Sequence, residues 1–369
     1  MRKTVLFIII ITAMGLLAGC SGKGGDTINI GVAGPMTGDQ SKMGMDFKNG
    51  VTLAVEQWNS KGGVLGKKVV VQIEDDQHDP KQAVAIANKL VNEGAAGVIG
   101  HFNSSCSIPA SKIYEDGGVP MITPATTNPQ LTEQGFWNVF RVCGRDDQQG
   151  KVAAEFVSKD LGKKRIAVLH DKTTYGQGLA NEFQKNLSGS AKVVYYGSII
   201  QGDKDFKSVL TSIKETNPEI IYFGGIYPEA GLMMKQAREI GLDATFVSGD
   251  GSIDPKLLDI AGAAAEGTYL SFSPDPVNIP SAKGFLDEYH KRFGEHGPYS
   301  IYAYDAANIL LKSINTVGSV DGKAVADAIH KGSFDGALGK VEFDKKGDNK
   351  IAHYVMWQVK GGKFVQVTN

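Results

Sequence analysis

Five short stretches concentrate the side chains of this chain that could do chemistry. They are "HFNSSCS" from His101, "TPATTN" from Thr123, "HDKTTYGQG" from His170, "GGIYPE" from Gly224 and "SGDGS" from Ser248. Most are rich in Ser, Thr, Gly or Tyr. Asp250, between two glycines, is the acid most conspicuously placed. "TPATTN" is the oddest of them. Pro and Asn fit a turn, but Thr123, Thr126 and Thr127 are strand formers rather than loop residues. Stiff hydroxyls and main-chain amides just past an apolar strand are equipment for holding a ligand. Taken singly, each loop could be small and polar only because strand ends need it. Taken together, they point to a ligand cleft.

Other chemistries find no support. There is no GxxxxGK[ST] phosphate loop, and no GxGxxG leads from a strand into a helix. The seven histidines are scattered. His78, His101 and His170 lie at strand ends without paired ligand spacing, so no metal site is expected. No G-x-S-x-G elbow occurs, and Ser104-Ser105-Cys106 has no local base. Asp75-Asp76 is expected to end a strand facing solvent, and Asp146-Asp147 to cap a helix. No catalytic residue, cofactor or metal is expected.

The loops need elements to hold them. From residue 28 the pattern is strand, turn, helix, repeated. "INIGVAG", "KKVVVQIEDD", "GVIGH" and "VPMIT" read as strands. "FKNGVTLAVEQWN" carries a helical apolar stripe. Asp79 reads as an N-cap, with Pro80 opening the helix "KQAVAIANKLVNE". After a crossing segment near 140–150 the rhythm resumes with the strands "RIAVLHD", "KVVYYGS", "EIIYFGG", "ATFVSGDG" and "GTYLSF". Late helices and the tail "HYVMWQVKGGKFVQV", a hairpin turning at Gly-Gly, complete the chain. Alternation at this spacing implies an α/β fold of two doubly wound, Rossmann-like lobes with parallel sheets. The five loops then fall at carboxyl ends of strands, where such sheets bind ligands.

Composition agrees with a globular body. The chain has 369 residues, 42% apolar and 21% charged, with a formal net charge of −1. The balance excludes nothing but gives no sign of nucleic acid as a partner. "MRKTVLFIIIITAMGLLAGC" has two cations, an apolar run and small residues, the layout of a secretory signal. Loss of Arg2 and Lys3 with it takes the charge to −3. Leu17-Ala18-Gly19-Cys20 looks like a bacterial lipobox. Residues 1–19 are therefore expected to be a lipoprotein signal peptide, Cys20 the lipidated residue, and 20–26 a flexible tether. The body is expected on the periplasmic or cell-surface side, held to a membrane by that lipid. Cys106 and Cys143 remain. They form either a disulfide or two buried thiols.

At "DDQHDPKQAVAIANKLVNEG", "VIGHFNSSCSIPASKIYEDGGVPMITPATTNPQLT", "RIAVLHDKTTYGQGLA", "YFGGIYPEAGLMMKQARE" and "FDKKGD" the chain resembles the leucine/isoleucine/valine-binding proteins of bacterial ABC importers. These are type I periplasmic binding proteins, and the likeness runs along nearly the whole mature length. It implies a first lobe of 27–145 and 273–353, a second of 146–272 and 354–369, and a multi-strand hinge between them. It implies no enzymatic activity, a monomer, and a partner permease with its ATPase.

The resemblance also implies roles. Ser104, Ala125 and Thr127 match the family's serine and Pro-Ala-x-Thr turn, which hold the ligand's α-carboxylate and share its ammonium. Asp250 stands where the family has a glutamate for that ammonium, and Tyr175 matches an aromatic that closes over the ligand. Two flanking tyrosines of the family become Met43 and Ile226, with Tyr227 beside the latter as a partial substitute. A pocket leucine becomes Phe102. The family's disulfide cysteines correspond to His78 and Asn103, so that bond is absent. The implied ligand is an apolar, branched-chain L-amino acid. An aromatic amino acid is the runner-up. An amide or urea-like ligand, or a sensory role for the same fold, is the further alternative.

Overall fold

The computed structural model describes residues 27–368. The signal segment, the tether and Cys20 lie outside the described residues. Among the described residues no helix is long and apolar enough to cross a membrane.

The first sheet is built from β1 (Thr27–Gly34), β2 (Lys68–Asp75), β3 (Val98–Ile99), β4 (Met121–Thr123) and β5 (Val139–Arg141), in the order β2-β1-β3-β4-β5 and all parallel. Its connecting helices are α1 (Ser41–Ser60), α2 (Pro80–Asn92), α3 (Ser104–Asp116) and the single turn α4 (Gln130–Glu133). Asp79 caps α2 by accepting from the Lys81 and Gln82 N–H groups, with Pro80 at the first helical position.

The chain then crosses over. α5 (Asp146–Glu155) leads to β6 (Arg165–His170), α6 (Thr174–Asn186), β7 (Lys192–Ser198), α7 (Lys207–Glu215), β8 (Ile220–Gly224), α8 (Tyr227–Glu239), β9 (Thr245–Ser248), α9 (Pro255–Ala261) and β10 (Tyr269–Phe272). Then come α10 (Lys283–Phe293), α11 (Ser300–Val317) and α12 (Gly322–Lys331), with α11 packed along α1. β11 (Ser333–Gly336) and β12 (Gly339–Glu342) form a small antiparallel pair. The tail is a hairpin of β13 (Val355–Lys360) and β14 (Lys363–Gln366), turning at Gly361 and Gly362 with φ of 57° and 71°. Two successive positive φ values are what a two-residue hairpin turn asks for.

The second sheet runs β14-β13-β10-β9-β8-β6-β7. β7, β6, β8, β9 and β10 are parallel, and the hairpin is added antiparallel at the β10 edge. Read from β7 to β10, the strand sequence repeats the 2-1-3-4-5 order of the first sheet. Each sheet therefore has one reversal of winding, between β1 and β3 in one and between β6 and β8 in the other. Such a reversal opens a crevice beyond the strand ends. The lobes face each other across these crevices.

Several local expectations need correction. α1 starts at Ser41, six residues before its apolar stripe suggested. β5 was hidden inside the crossing segment. Asp76 does not face solvent. It is fully buried and accepts from His101 Nδ1 at 2.7 Å and the His78 N–H at 3.0 Å. His101 completes this buried chain through Nε2 and the Tyr114 hydroxyl, 3.1 Å apart. Asp146 is not a cap either; it is the first residue of α5 and fully buried. Cys106 and Cys143 are free, buried thiols.

Candidate functional site

The first wall of the cleft is made at the ends of β3 and β4. α3 starts at Ser104, and the Cys106 and Ser107 amides bond back to the Asn103 carbonyl at 3.0 and 2.9 Å. The first amides of a helix have no partner within it, so the Ser104 end presents donors and a partial positive charge to the cleft.

The threonines of "TPATTN" have separate duties. The Thr123 hydroxyl donates to the His101 carbonyl at 2.8 Å and accepts from the Ala125 and Thr126 amides. The Thr126 hydroxyl reaches the His101 and Phe102 carbonyls, both at 3.2 Å. These two hydroxyls lock the β4 loop to the β3 loop. Thr127 is different. It is buried, and its Oγ1, beside the Asp146 carboxyl, makes no well-aligned hydrogen bond among the described residues.

Arg141, at the end of β5, underpins this loop. Its side chain is fully buried and donates to the Thr126 carbonyl at 2.8 Å, the Asn128 carbonyl at 3.0 Å and Thr132 Oγ1 at 2.7 Å. Its Nε pairs with Asp348 Oδ1 at 2.6 Å. Asp348 is the last acid of "FDKKGD" and also pairs with Arg145 at 2.6 Å. That stretch thus reaches the ligand loops through a buried arginine.

The second wall centres on Asp250, which opens a short 3-10 turn after β9 and is 3% exposed. The Tyr175 hydroxyl donates to Asp250 Oδ1 and the Tyr299 hydroxyl to Asp250 Oδ2, both at 2.7 Å. The flanking glycines are needed for this approach. A Cβ on Gly249 would lie 2.9 Å from the Tyr175 hydroxyl oxygen, and one on Gly251 would lie 2.9 Å from Tyr175 Cε1. Burial pushes the Asp250 carboxyl above its ordinary range, while the two phenols hold it down. Burial and the Asp250 charge keep both phenols protonated, hence donors. Beside them Asp146 is also raised well above the carboxylate range, by burial and then by the Asp250 charge. The Thr127 side chain lies beside this carboxyl and lowers its pKa only in part.

Between the walls lies a small cavity of about 20 Å³, lined by Phe102, Asn103, Ser104, Ala125, Tyr175, Ile226, Asp250, Gly251 and Tyr299. That is room for about one water molecule, so a ligand enters only when the walls part. The lobes already touch around it. Asn128 Nδ2 donates to the Thr174 carbonyl at 2.8 Å, and Lys204 pairs with Asp39 at 3.0 Å. The cavity therefore belongs to a closed cleft. One side offers hydrogen-bond donors, the opposite side a negative charge, and Phe102, Ala125 and Ile226 supply apolar surface.

Of the residues named from the sequence, Ser104, Ala125, Phe102, Tyr175, Ile226 and Asp250 converge on this cavity. Thr127 does not line it; its hydroxyl is buried at the end of the same loop. Met43 is fully buried in the hydrophobic core with Phe47 and Val51, so it is not a cavity residue. Tyr227 does not flank the cavity either, because its hydroxyl crosses to the Asp39 carbonyl of the other lobe. Tyr299 and Arg141 were missed. Where the family has a disulfide, His78 and Asn103 are joined through Gln40. Its Nε2 meets His78 Nδ1, and its Oε1 accepts from Asn103 Nδ2 at 2.8 Å.

The charge on Asp250 has a consequence for pH. An ammonium bound there favours the ionised carboxylate, so below the raised pKa of the free site the ligand must displace a proton. Affinity for an amino acid should be flat above that raised pKa. It should fall as pH drops through that pKa, by up to about tenfold per pH unit. Titration calorimetry from about pH 8 to about pH 5 checks this. Asp250→Asn should bind weakly with no such slope, and a slope kept in that variant would assign the proton elsewhere.

A family model described as periplasmic binding protein matches residues 27–363. The chain is 40% identical over 365 residues to a Leu/Ile/Val-binding protein homologue of Brucella suis, covering 98% of this chain and 97% of the relative. It is also 40% identical, over 90% of each chain, to the leucine-, isoleucine-, valine-, threonine- and alanine-binding protein of Pseudomonas aeruginosa. The crystal structure of a leucine-binding protein from Thermotoga maritima is similar with a TM-score of 0.87 at 34% identity, covering 92% of this chain and 98% of that one. Paired sheets of repeated winding order, with a cleft at both reversals and a match along almost the entire described chain, lead to one conclusion: the chain belongs to the periplasmic binding protein family.

Proposed function

We propose that this protein is the extracytoplasmic substrate-binding lipoprotein of an ABC importer, and that it binds an apolar, branched-chain L-amino acid between two closing lobes. The observation that carries the proposal is the buried Asp250 carboxylate. Two phenols and, among the described residues, no cation meet it, and it shares a small closed cavity with Ser104 at the amide-bearing start of α3. A buried charge without a counter-charge is costly. A zwitterion supplies both what Asp250 lacks and what the helix start favours. Phe102 and Ile226 favour an apolar side chain, and the curated relatives are named for leucine, isoleucine and valine binding.

In this reading Ser104 and the main chain near Ala125 and Thr127 hold the α-carboxylate. Asp250 holds the ammonium, with Tyr175 and Tyr299 fixing its oxygens. The lobes are 27–145 with 273–353, and 146–272 with 354–369, closing by hinge motion. A monomer delivers the ligand to a membrane permease driven by its ATPase. The role is binding, with no catalytic step.

The test is a thermal-shift screen against the twenty common amino acids, since a ligand that binds the native state raises its stability by mass action. Leucine, isoleucine and valine should give the largest shifts. Preference for glutamate, lysine or arginine contradicts the apolar pocket.

The anchor is tested separately. Metabolic labelling with a fatty acid should mark the wild type and not Cys20→Ala. Equal labelling of both would remove the lipoprotein assignment and leave the binding function untouched.

A further inference from the structure

Away from the cleft, one group of side chains is arranged to take up a metal ion. α10 ends at Phe293, and Gly294, at a φ of 80°, turns the chain back on itself. Glu295 and His296 thereby return to His290 in the last turn of the helix. His290 Nε2 lies 2.8 Å from His296 Nδ1, with the rings stacked at a centroid distance of 5.1 Å. One donor atom from each of His290, Glu295 and His296 lies within 4.8 Å of the other two. His290 and Glu295 are exposed and His296 is half-buried, so an ion can enter from solvent.

We propose that these three residues form a site for a divalent transition-metal ion of the zinc, nickel and copper group, with water in the remaining positions. Two imidazoles and a carboxylate suit those ions, whereas calcium and magnesium want an all-oxygen shell. Nitrogens held about 2.0–2.1 Å from one tetrahedral ion are about 3.3 Å apart, so the rings need to part by only about 0.5 Å. The hydrogen now between the two nitrogens moves to the other nitrogen of its own ring, so that both rings ligate as neutral imidazoles. The carboxyl end of α10 favours a cation. The nearby positive charges of Lys291 and Arg292 are engaged, with Glu288 at 3.9 Å and with Glu56.

The site's position gives it a role. Three residues after His296 the chain presents Tyr299, which donates to Asp250. A bound metal fastens the turn that carries Tyr299 to α10, so metal and amino acid should influence each other's affinity. This coupling rests on the proposed ligand site at Asp250; the metal site does not.

Zinc, nickel and, as a control, magnesium ions are titrated by calorimetry into the full chain, purified without an affinity tag and with no amino acid present. Zinc and nickel should bind at one equivalent and magnesium should not. His290→Ala and His296→Ala should each weaken zinc at least about tenfold, with unchanged circular dichroism for His290→Ala because that side chain is exposed. Absence of zinc binding, or equal binding by the double variant, overturns the site. Leucine is then titrated with and without zinc. A change of about threefold or more in the wild type, absent in His290→Ala, supports the coupling. Metal binding with unaltered leucine affinity overturns it. Leucine that fails to bind under either condition contradicts the functional proposal, and the metal arm still decides the metal site.

Discussion

Asp250→Ala lowers the affinity for leucine by roughly 30-fold or more. Truncating one member of a buried, hydrogen-bonded charge pair costs about 2–5 kcal/mol, and each 1.4 kcal/mol is about tenfold in affinity. Asp250 meets every condition for an effect of that size. It is 3% exposed, both its oxygens are oriented by phenols at 2.7 Å, and among the described residues no cation pairs with it. The change also removes what closure brings to the ligand, so small-angle scattering should find the variant more open in the presence of leucine. Thr127→Val should cost less, at most about 1.5–3 kcal/mol, because its hydroxyl does not line the cavity. A smaller loss from Asp250→Ala than from Thr127→Val would reverse the assignment of the two ends of the ligand.

Arg141→Met destabilises the protein by about 3–5 kcal/mol, the cost of breaking a buried ion pair by removing one partner. The guanidinium is fully buried and satisfies two carbonyls, a hydroxyl and Asp348 together. Methionine fills the space but returns none of these bonds. Arg145 also pairs with Asp348, which places the expected loss near the lower bound. Chemical denaturation measures it. Because Arg141 holds the carbonyls of Thr126 and Asn128, leucine affinity should fall as well. A variant as stable as the wild type would mean that the loop is held by its own threonines alone.

Much of this was legible in the sequence because its signals are local. The alternation of apolar runs and amphipathic stripes identifies both doubly wound sheets. Asp79 and Pro80 mark a helix start that folds as read. The strand-end loops could be named because a parallel sheet puts ligands at that end of its strands. What was missed depends on distant partners. Tyr299 meets Asp250 across 49 residues, and nothing near either announces it. Arg141 sits in a strand of three residues, and a lone arginine in a short segment reads as exposed. Its burial depends on Asp348, 207 residues away. Met43 was named only from the position of a family tyrosine, and the chain's own pattern places it elsewhere. With α1 starting at Ser41, Met43, Phe47 and Val51 follow at four-residue steps on one buried face. Likewise, the seven histidines look scattered along the chain, yet the turn at Gly294 brings His290 and His296 together.

The central claim is that Asp250 holds the ligand's ammonium. It is tested most directly by titrating the wild type and Asp250→Asn with leucine and with 4-methylpentanoate, which is leucine without its amino group. The four affinities form a cycle that isolates this one contact. The wild type should prefer leucine by roughly 30-fold or more, and Asp250→Asn should lose most of that preference while keeping its affinity for 4-methylpentanoate. An equal preference for leucine in both proteins would contradict the claim and place the ammonium on another group.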